Sequence, residues 1–472
     1  MPKEIVRQLD PIFRPGSIAV IGASDTFPKW GYRMVDRPLK SGYRGAIYPV
    51  NPKLKEVDGL RAYASVCDIP SDVDLAVIVV PAIAVPKAMA ECVVKGVRGA
   101  VLITAGFAEA GQEGRTLQDE VVRIAREGKI RFVGPNGMGI WSSAARLNLS
   151  FDEAPRKGRI AFVSQSGTFG GLLAQVASIK GYGLSKFISI GNQADLDAAD
   201  YLDYLGEDED TQAIVLYMEG FRDGRRFFEV AREIVKRKPI VIYKAGRSEA
   251  AARASISHTS SLIGSDEVFE ALCKQVGMIR AYETEHLFDM AEALVSQPLP
   301  KGNRIAIIGS GGQGVVTSDA CGWMGLEVPE FDDETKARLK SELPAHAPVP
   351  SNPVDFAGAL RTSLDEAKVA DAIARLDYID GIISNVPTYR STADSEIDSA
   401  KRAIEGAGIL AAIPRKYGKP VITFKWRRDA SAMIQDILDS AHIPAYETPE
   451  QCVRAMYALA KYAQIRRELR QD

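Results

Sequence analysis

A single histidine in a polar loop is the first residue of this chain that could do chemistry. His258 is one of four histidines in 472 residues and stands in the stretch ASISHTSSLIG, residues 254–264, with no apolar stripe to bury its ring. A lone loop histidine most often has no chemical role. Metal binding is disfavoured, because no other His, Cys or paired carboxylate lies at ligand spacing. The remaining alternative is a nucleophile that carries a phosphoryl group, which a neutral imidazole near neutral pH permits.

A phosphoryl-carrying histidine needs a carboxylate on its far ring nitrogen and N–H donors for the phosphoryl oxygens. Glu219 follows the apolar run QAIVLYM and so falls at the carboxyl end of a predicted strand, where α/β domains build their sites. It could equally be a solvated loop acid. The sequence therefore offers Glu219 as the candidate carboxylate and leaves the donors to be found.

Glycine- and serine-rich turns that lead from a strand into a helix can bind an anion without any lysine. Three occur, GASD (22–25), SQSGTFG (164–170) and GSGGQG (309–314). Glycine in any one of them could simply permit a tight turn. Two of the three stand at matching places of an internal repeat, which favours phosphate binding by Ser166, Gly167, Thr168, Gly311, Gly312, Gln313 and Gly314.

The first of these turns predicts a ligand with a phosphorylated ribose. GASDTFPKWG departs from the GxGxxG pattern of NAD-binding proteins, because Ser24 occupies the second glycine position. After the second strand, Asn51 and Lys53 stand where an NAD-binding protein places an acidic residue. A cation there suits CoA or NADP, and the residues alone leave both open.

Composition excludes several classes of protein. Lys and Arg number 59 against 61 Asp and Glu, a formal charge of −2, which gives no support for binding to nucleic acid or a membrane surface. The five cysteines are scattered and form no CxxC pair, which favours a reducing cytoplasm. The longest apolar run, LAVIVVPAIAV, is interrupted by Pro81 and is shorter than the ~18 residues of a membrane span. We therefore expect a soluble cytoplasmic protein.

Short Val/Ile-rich runs alternate with amphipathic segments along the whole chain, which predicts an α/β fold with parallel sheets covered on both faces. The first doubly wound sheet is predicted over Ser17–Trp141, and polar linkers near 142–158 and at SQPLPKGN (296–303) separate two further α/β units. Those two units resemble repeats, because GRIAFVSQSGTFGG matches NRIAIIGSGGQGVV and KPIVIYKAG matches KPVITFKWR. Ser265 is the expected N-cap of the helix after the His258 loop, and Gly277 is expected to end it.

Over essentially its whole length the chain resembles the α subunits of NDP-forming acyl-CoA synthetases of the ADP-forming acetyl-CoA synthetase type, and more distantly the succinyl-CoA synthetase α subunit. The stretches that carry the resemblance include SIAVIGAS, YPVNPK, GAVLITAGFAEAG, FVGPNGMGI, AFVSQSGTFG, FISIGNQADLDAADYLDYLGEDEDT, YMEGFRDGRRFFEVA and KAGRSEAAARASISHT. The resemblance implies three α/β domains, each with a doubly wound parallel sheet. They are a Rossmann-like CoA-binding domain (1–141), a flavodoxin-like phosphohistidine domain (155–295) and a second flavodoxin-like domain (303–472).

The resemblance also implies the chemistry, namely interconversion of acyl-CoA, ADP and phosphate with free acid, CoA and ATP through an acyl phosphate and a phosphohistidine. It makes His258 the phosphoryl carrier and Glu219 its supporting carboxylate. It implies a separate ATP-grasp β subunit, in an α2β2 assembly, that supplies ATP or ADP and Mg²⁺. The CoA-binding residues that follow from the resemblance are Gly22, Ser24, Asp25, Asn51, Lys53, Thr104, Ala105, Gly106 and Asn136.

Several departures from the family pattern bear on the acid substrate. PNCLG of the family reads PNGMG here, SHTGSLAG reads SHTSSLIG, and Gly171 stands where the succinyl relative has a substrate-contacting tyrosine. Gly137 and Gly171 would make room for a longer or aromatic acid, whereas Ser260 and Ile263 would reduce it. Two other functions stay open from the sequence: a CoA- or acyl-CoA-binding protein without turnover, and an NADP-dependent oxidoreductase.

Overall fold

This computed structural model describes residues 3–248, 250–251, 265–309, 311–341, 349–356, 363–388, 396–425 and 432–469. The chain divides into two compact units, Met1–Leu287 and Phe288–Asp472. Within the described residues, the first unit contains two large sheets and a two-stranded one, and the second unit contains one sheet. Within the described residues no helix is long and apolar enough to cross a membrane.

The first sheet is built from five short strands that all run parallel in the order β2-β1-β5-β6-β7. A small β3–β4 hairpin lies beside it. The strands are β1 Ser17–Ile21, β2 Ala46–Val50, β3 Glu56–Val57, β4 Leu60–Arg61, β5 Leu75–Ile78, β6 Gly99–Leu102 and β7 Arg131–Val133. The helices of this part of the chain are α1 Glu4–Phe13, α2 Trp30–Lys40, α3 Val85–Lys95 and α4 Gln112–Glu127.

The second sheet has a parallel core with an antiparallel edge, in the order β14-β13-β12-β10-β11-β8-β9. Its strands are β8 Ile140–Ser142, β9 Leu147–Asn148, β10 Lys157–Ser164, β11 Leu184–Ser189, β12 Ala213–Met218, β13 Ile240–Lys244 and β14 Ile279–Arg280. Its helices are α5 Gly167–Ile179, α6 Ala198–Glu207, α7 Gly224–Ile234 and α8 Asp266–Val276.

The segment around Trp141, expected at the end of the first sheet, pairs instead with the second. Trp141 lies opposite Phe187 in an antiparallel pairing of β8 with β11. The last strand of the first sheet is β7, and Asn136, with a positive φ of 60°, lies in the turn that leads away from it. A buried apolar run predicts a strand but does not identify its sheet, which explains the difference.

The third sheet forms the second unit and is fully parallel, in the order β16-β15-β17-β18-β19. Its strands are β15 Ile305–Gly309, β16 Val354–Asp355, β17 Gly381–Asn385, β18 Val421–Phe424 and β19 Ala445–Tyr446. The helices from residue 286 onward are α9 His286–Ser296, α10 Gly312–Trp323, α11 Asp333–Ser341, α12 Ser363–Ala374, α13 Glu396–Tyr417, α14 Ala432–Ser440 and α15 Pro449–Glu468.

The parallel cores of the second and third sheets have the same strand order, 2-1-3-4-5 when counted from β10 and from β15. This is the flavodoxin-like order, in which ligands bind at the carboxyl ends of the strands where the order reverses. The repeat inferred from the sequence therefore has a topological basis. The predicted ends of α8 are also found, because Ser265 accepts a hydrogen bond from the Val268 amide and Gly277 takes the left-handed conformation.

Candidate functional site

A cleft of about 560 Å³ opens where strand ends of the first sheet face the start of α5. Six of the predicted site residues line it: Thr104, Ala105, Asn136, Ser166, Gly167 and Thr168. The structure thus brings residues from the CoA side and from the predicted phosphate turn to one cleft. The other lining residues are Trp30, Val79, Val80, Pro81, Ile103, Gly137, Met138, Gln165, Gly191 and Asn192.

Thr104 and Asn136 hold the carboxyl ends of neighbouring strands together at the cleft wall. The Thr104 hydroxyl donates to the Val80 carbonyl at 2.7 Å, and the Asn136 amide donates to the Thr104 carbonyl at 2.9 Å. The Asn136 side chain in turn donates to Asn192 Oδ1 at 3.3 Å. Because Asn192 follows β11, this contact joins the first sheet to the second at the cleft.

The Gly106 loop is held by Glu109, which the sequence analysis did not single out. The Glu109 carboxylate accepts the amide hydrogens of Gly106 at 2.6 Å and of Phe107 at 3.2 Å, and its other oxygen accepts from the Asn192 side chain. Burial works to raise the pKa of Glu109, but the hydrogen bonds from Asn192 and these amides keep it below its ordinary value. Glu109 is therefore an ionised brace for the predicted CoA loop.

The first glycine turn is built on close contacts of the backbone. Gly22 has a φ of 95°, and its amide and that of Ala23 both donate to the Val50 carbonyl. A Cβ atom on Gly31 would lie 2.1 Å from the Gly22 carbonyl oxygen, so α2 packs directly on the turn. Glycine at position 31 is therefore required by the close packing of α2 on the turn.

Asn51, which is predicted to bind the ligand, also braces this turn. Its side-chain nitrogen donates to the Ala23 carbonyl at 2.7 Å, and its side-chain oxygen accepts the Lys53 amide at 2.8 Å. Ser24 accepts the Thr26 amide at 3.1 Å, and Asp25 accepts from the Thr26 hydroxyl at 2.9 Å. The predicted residues Gly22, Ser24, Asp25, Asn51, Lys53 and Gly106 lie outside the lining of the 560 Å³ cleft.

The start of α5 has the features of an anion site. Ser166 is the N-cap but its side chain makes no capping hydrogen bond, and the first turn contains no acidic residue. Gly167 is required by close packing, because a Cβ atom there would lie 2.7 Å from Met138 Cγ. The amides of the first helical turn, the positive end of the helix dipole and the exposed Thr168 therefore face the cleft region with no competing carboxylate on the helix.

Glu219 lies at the end of β12, next to this turn. Only 5 % of the residue is exposed. Gln165, which sequence reasoning missed, fixes the backbone here: its side-chain oxygen accepts the amides of Glu219 at 2.9 Å and Gly220 at 3.0 Å. Because Gln165 immediately precedes Ser166, one side chain couples the glutamate to the phosphate turn across the point where the strand order reverses.

The glycines that were expected to enlarge the acyl site differ from each other. A Cβ atom on Gly137 would lie 2.7 Å from the Ser189 carbonyl oxygen, so this glycine is required by close packing and its missing side chain leaves no space. A Cβ atom on Gly171 would meet nothing within 4 Å. Gly171 is therefore the one of the two beside which a larger group fits. Ser260 and Ile263 lie outside the described residues, as does His258.

The second unit carries the remaining predicted turn. Gly311 is the N-cap of α10 with a φ of 55°, and its amide donates to Asp355 at 3.1 Å. Like α5, α10 has no side-chain cap and no acidic residue in its first turn. Gln313 is buried, and a Cβ atom on Gly314 would lie 3.2 Å from Pro353. With Gly312 as its first residue, α10 is therefore a glycine-led helix without a side-chain cap, as α5 is in the first unit.

Comparison with known protein families matches the two domains of the first unit. Residues 16–142 match a family described as a CoA binding domain. Residues 157–294 match a family described as the succinyl-CoA ligase like flavodoxin domain. The two matches cover the two sheets that form the cleft.

Full-length relatives agree with these matches. The chain is 42 % identical over 459 residues to the α subunit of acetate–CoA ligase [ADP-forming] II of Pyrococcus furiosus, covering 96 % of this chain and 98 % of the relative. It is 39 % identical to the α subunit of isoenzyme I from the same organism, covering 96 % and 98 %. A solved structure of a Ca. Korarchaeum cryptofilum acetyl-coenzyme A synthetase in complex with phosphate and ADP has a TM-score of 0.87 and 34 % identity, covering 98 % of each chain.

The fold, the cleft and these relatives define an acid–thiol ligase of the acyl-CoA synthetase class. Within it, the chain belongs to the family of ADP-forming acyl-CoA synthetase α subunits, which includes the two Pyrococcus furiosus α subunits just named. An α subunit implies a second, separate subunit. The prediction of the family from the sequence is confirmed.

Proposed function

We propose that this chain binds acyl-CoA and carries the phosphoryl group in the reaction acyl-CoA + ADP + phosphate ⇌ carboxylic acid + CoA + ATP. The observation that carries the proposal is the shared cleft: Thr104 and Asn136 on the predicted CoA side line the same 560 Å³ space as the uncapped start of α5. Attack of phosphate on a thioester requires both reactants within contact distance of each other, which such a cleft provides.

In the first step, a phosphate oxygen attacks the thioester carbonyl carbon, the C–S bond breaks and CoA leaves as the thiolate, which gives an acyl phosphate. The role of this chain is to hold the phosphate at the start of α5 through backbone amides and Thr168, and to hold CoA along the Thr104–Gly106 loop. The helix dipole favours the phosphate charges and any charge that develops on the transferred oxygens.

In the second step, a ring nitrogen of His258 attacks the phosphorus of the acyl phosphate, the P–O bond to the acyl group breaks and the carboxylate leaves. The product is phosphohistidine. Glu219 would accept a hydrogen bond from the other ring nitrogen and stabilise the positive charge of the phosphorylated ring. The burial of Glu219 and the Gln165 clamp on its backbone support this positioning role.

The final phosphoryl transfer to ADP would take place with a partner. We propose an ATP-grasp β subunit in an α2β2 assembly that holds the nucleotide and Mg²⁺, while this chain supplies phosphohistidine on the loop that contains residue 258. The first-turn glycines of α10 would provide a second cradle for the phosphoryl group. All five cysteines are free thiols, which supports a reducing, cytoplasmic environment for the complex.

The proposed function is tested by transfer of labelled phosphate into the chain. The purified subunit is incubated with acetyl-CoA, and in parallel with longer and aromatic acyl-CoAs, plus labelled inorganic phosphate. We expect acid-labile, base-stable label on the protein with at least one acyl-CoA. His258→Ala should abolish the label, and Glu219→Gln should slow its appearance at least ~100-fold, because the charged ring then lacks its counter-charge.

The control is His442→Ala, which removes another of the chain's four histidines and should label like the wild type. Label that survives in His258→Ala would refute the assignment of the carrier. CoA release that depends on phosphate, without any label on the protein, would refute the phosphohistidine step but keep acyl phosphate formation. The acyl-CoA that gives label first identifies the acid.

A further inference from the structure

A second cleft in the first unit shares no lining residue with the first, and all of its charged lining residues are cations. Its volume is about 650 Å³, within the range of small-molecule sites. The walls come from the segments that precede β1 and β2, from the β8–β9 turn and from the start of β10, all within the first unit. The lining residues are Arg14, Pro15, Gly16, Tyr43, Arg44, Gly45, Ser143, Ala144, Ala145, Arg146 and Lys157.

Three of the four cations have no counter-charge. Arg14 is neutralised, because it binds Asp208 at 3.0 Å and Asp210 at 2.9 Å. Arg44, Arg146 and Lys157 form no ion pair and no side-chain hydrogen bond with any part of the chain that the structure describes. Another carboxylate of the first unit, Asp74, accepts the Gly16 amide and binds Arg98. The chain as a whole carries a formal charge of −2, so these three unpaired cations do not reflect a general excess of positive charge.

A buried hydroxyl in the same cleft provides independent support. Ser143 is only 5 % exposed, and its Oγ has no hydrogen-bond partner within the described ranges. A buried hydroxyl without a partner is costly. Because the Oγ has almost no accessible surface, it donates to a ligand in the cleft only after the Ser143 side chain rotates, and that contact would remove the penalty. Ser143 and the three unpaired cations line the same space, and oxygen-rich anions satisfy both kinds of group.

The frame of this cleft is fixed by hydrogen bonds that do not use the unpaired groups. The Ser143 amide donates to the Ser185 carbonyl at 2.9 Å, and the Ser41 hydroxyl donates to the Arg146 carbonyl at 2.7 Å. The Tyr43 hydroxyl donates to the Pro15 carbonyl at 2.9 Å. The side chains of Arg44, Arg146 and Lys157 thus extend from a braced backbone, which lowers the entropy that a ligand must overcome.

We propose that this cleft is a binding site for a small phosphate compound with at least two negative charges, held by Arg44, Arg146, Lys157 and the Ser143 hydroxyl. Guanidinium groups bind phosphate oxygens in pairs, and a cleft lined by one sign of charge concentrates counter-ions. The site is separate from the catalytic cleft, with which it shares no lining residue. The proposal does not depend on the proposed function.

Binding of inorganic pyrophosphate to the full chain, measured by calorimetry, tests the proposal. The variant Arg44→Gln/Arg146→Gln/Lys157→Gln removes three charges from exposed side chains. The matched control Lys87→Gln/Arg123→Gln/Arg225→Gln removes three charges from exposed helix surfaces elsewhere, each beside a glutamate one turn along. Both variants keep the catalytic cleft, so pyrophosphate binding there is common to both.

We expect the control to bind pyrophosphate like the wild type. The cleft variant should lose about 8- to 27-fold in affinity for one pyrophosphate, because each of the three charges contributes about two- to threefold. Ser143→Ala should lose about threefold. The wild-type affinity should fall as salt is raised, because exposed charges are screened. If the triple variant unfolds, the single variant Lys157→Gln tests the proposal instead, with a smaller expected loss of pyrophosphate affinity.

Equal pyrophosphate affinity in the two triple variants would overturn the proposal. Loss of all measurable pyrophosphate binding in Thr168→Asp would also overturn it, because all binding would then take place at the start of α5. A cleft variant that fails to assemble with the β subunit, yet binds pyrophosphate normally, would also overturn it and identify a surface that contacts protein.

Discussion

Two helices begin at the same edge of the second sheet, and they are built in opposite ways. The start of α5, after β10, has neither a side-chain cap nor an acidic residue. The start of α6, after the neighbouring strand β11, is a capping box: Asp197 accepts the amides of Ala199 and Asp200, and Asp200 accepts the Asp197 amide. Arg226 binds both carboxylates, at 3.0 and 2.6 Å.

On the proposed function, the difference separates a helix start that serves the fold from one that binds phosphate. Burial and the nearby Asp200 raise the pKa of Asp197, so even the capped start carries an electrostatic cost that Arg226 offsets. Leaving α5 without a cap costs about 1 kcal/mol of stability. The helix that lacks this stabilisation is the one whose first residues line the 560 Å³ cleft. The start of α10 also lacks a side-chain cap, but there Asp355 accepts the Gly311 amide.

The largest effect, on phosphate binding, is expected when an acidic residue is introduced into the first turn of α5, where α6 already has one. Thr168→Asp places a carboxylate in the first turn, where it stabilises the helix by about 0.3–1 kcal/mol through the dipole. The same carboxylate repels phosphate, so we expect KM for phosphate to rise at least ~100-fold, comparable to the loss of an oxyanion donor. Initial rates with the partner subunit and thermal unfolding measure the two effects.

Thr168→Asn is the control for this change, because it alters the shape similarly and adds no charge. It should raise KM for phosphate far less than Thr168→Asp and leave the stability nearly unchanged. If the two variants have similar KM values for phosphate, the anion does not bind at the start of α5.

Two buried glutamines extend the comparison to catalysis. Gln165 accepts the Glu219 and Gly220 amides beside α5, and Gln193 accepts the Ala198 amide at 3.1 Å beside α6. Gln165→Ala should lower kcat at least ~10-fold by releasing the backbone of the proposed His258 partner, because geometric misplacement of a catalytic group is expensive. KM for CoA should stay unchanged.

Gln193→Ala should lose similar stability and keep kcat, since it supports only the capped helix. Rapid-quench measurement of histidine phosphorylation distinguishes the two variants. A loss of kcat that is equal in both would mean that Gln165 acts only through general stability.

Local signals in the sequence predicted the elements well, whereas contacts between distant segments could not be read from it. The cap at Ser265 and the glycine end at Gly277 follow from residues within one helix, and the structure has both. Glu109 and Asn192 meet across 83 residues, and Gln165 meets Glu219 across 54. No periodicity encodes such pairs. The first pair joins two sheets, and the second joins the ends of neighbouring strands in one sheet.

The role of individual glycines was equally hidden. Gly137 and Gly171 both replace larger residues of the family pattern, yet the first is packed against the Ser189 carbonyl and the second faces open space. A sequence gives the absence of a side chain but not what surrounds it. The assignment of His258 stays a prediction that the labelling experiment tests.

A smaller effect, on stability alone, is expected when the cap of α6 is removed. Asp197→Ala leaves the Ala199 and Asp200 amides without their acceptor and Arg226 without one of its two partners, so the free energy of unfolding should fall by about 2 kcal/mol. Asp197→Asn keeps an acceptor for the amides and should cost about half as much. Urea unfolding gives both values, and KM for phosphate should match the wild type. A phosphate defect in Asp197→Ala would mean that the two helix starts are coupled.

The smallest effect separates two adjacent glycines within α5 itself. A Cβ atom on Gly171 would meet nothing within 4 Å, so Gly171→Ala should raise the free energy of unfolding by about 0.5–1 kcal/mol through helix propensity. A Cβ atom on Gly170 would lie 2.2 Å from Ser164 Oγ, so Gly170→Ala should destabilise the protein. If the acyl group extends along this face of α5, Gly171→Ala will also raise KM for the longest acyl-CoA used, while KM for acetyl-CoA stays the same. A stabilised Gly171→Ala variant with equal KM for all acyl-CoAs would place the acyl group elsewhere in the cleft.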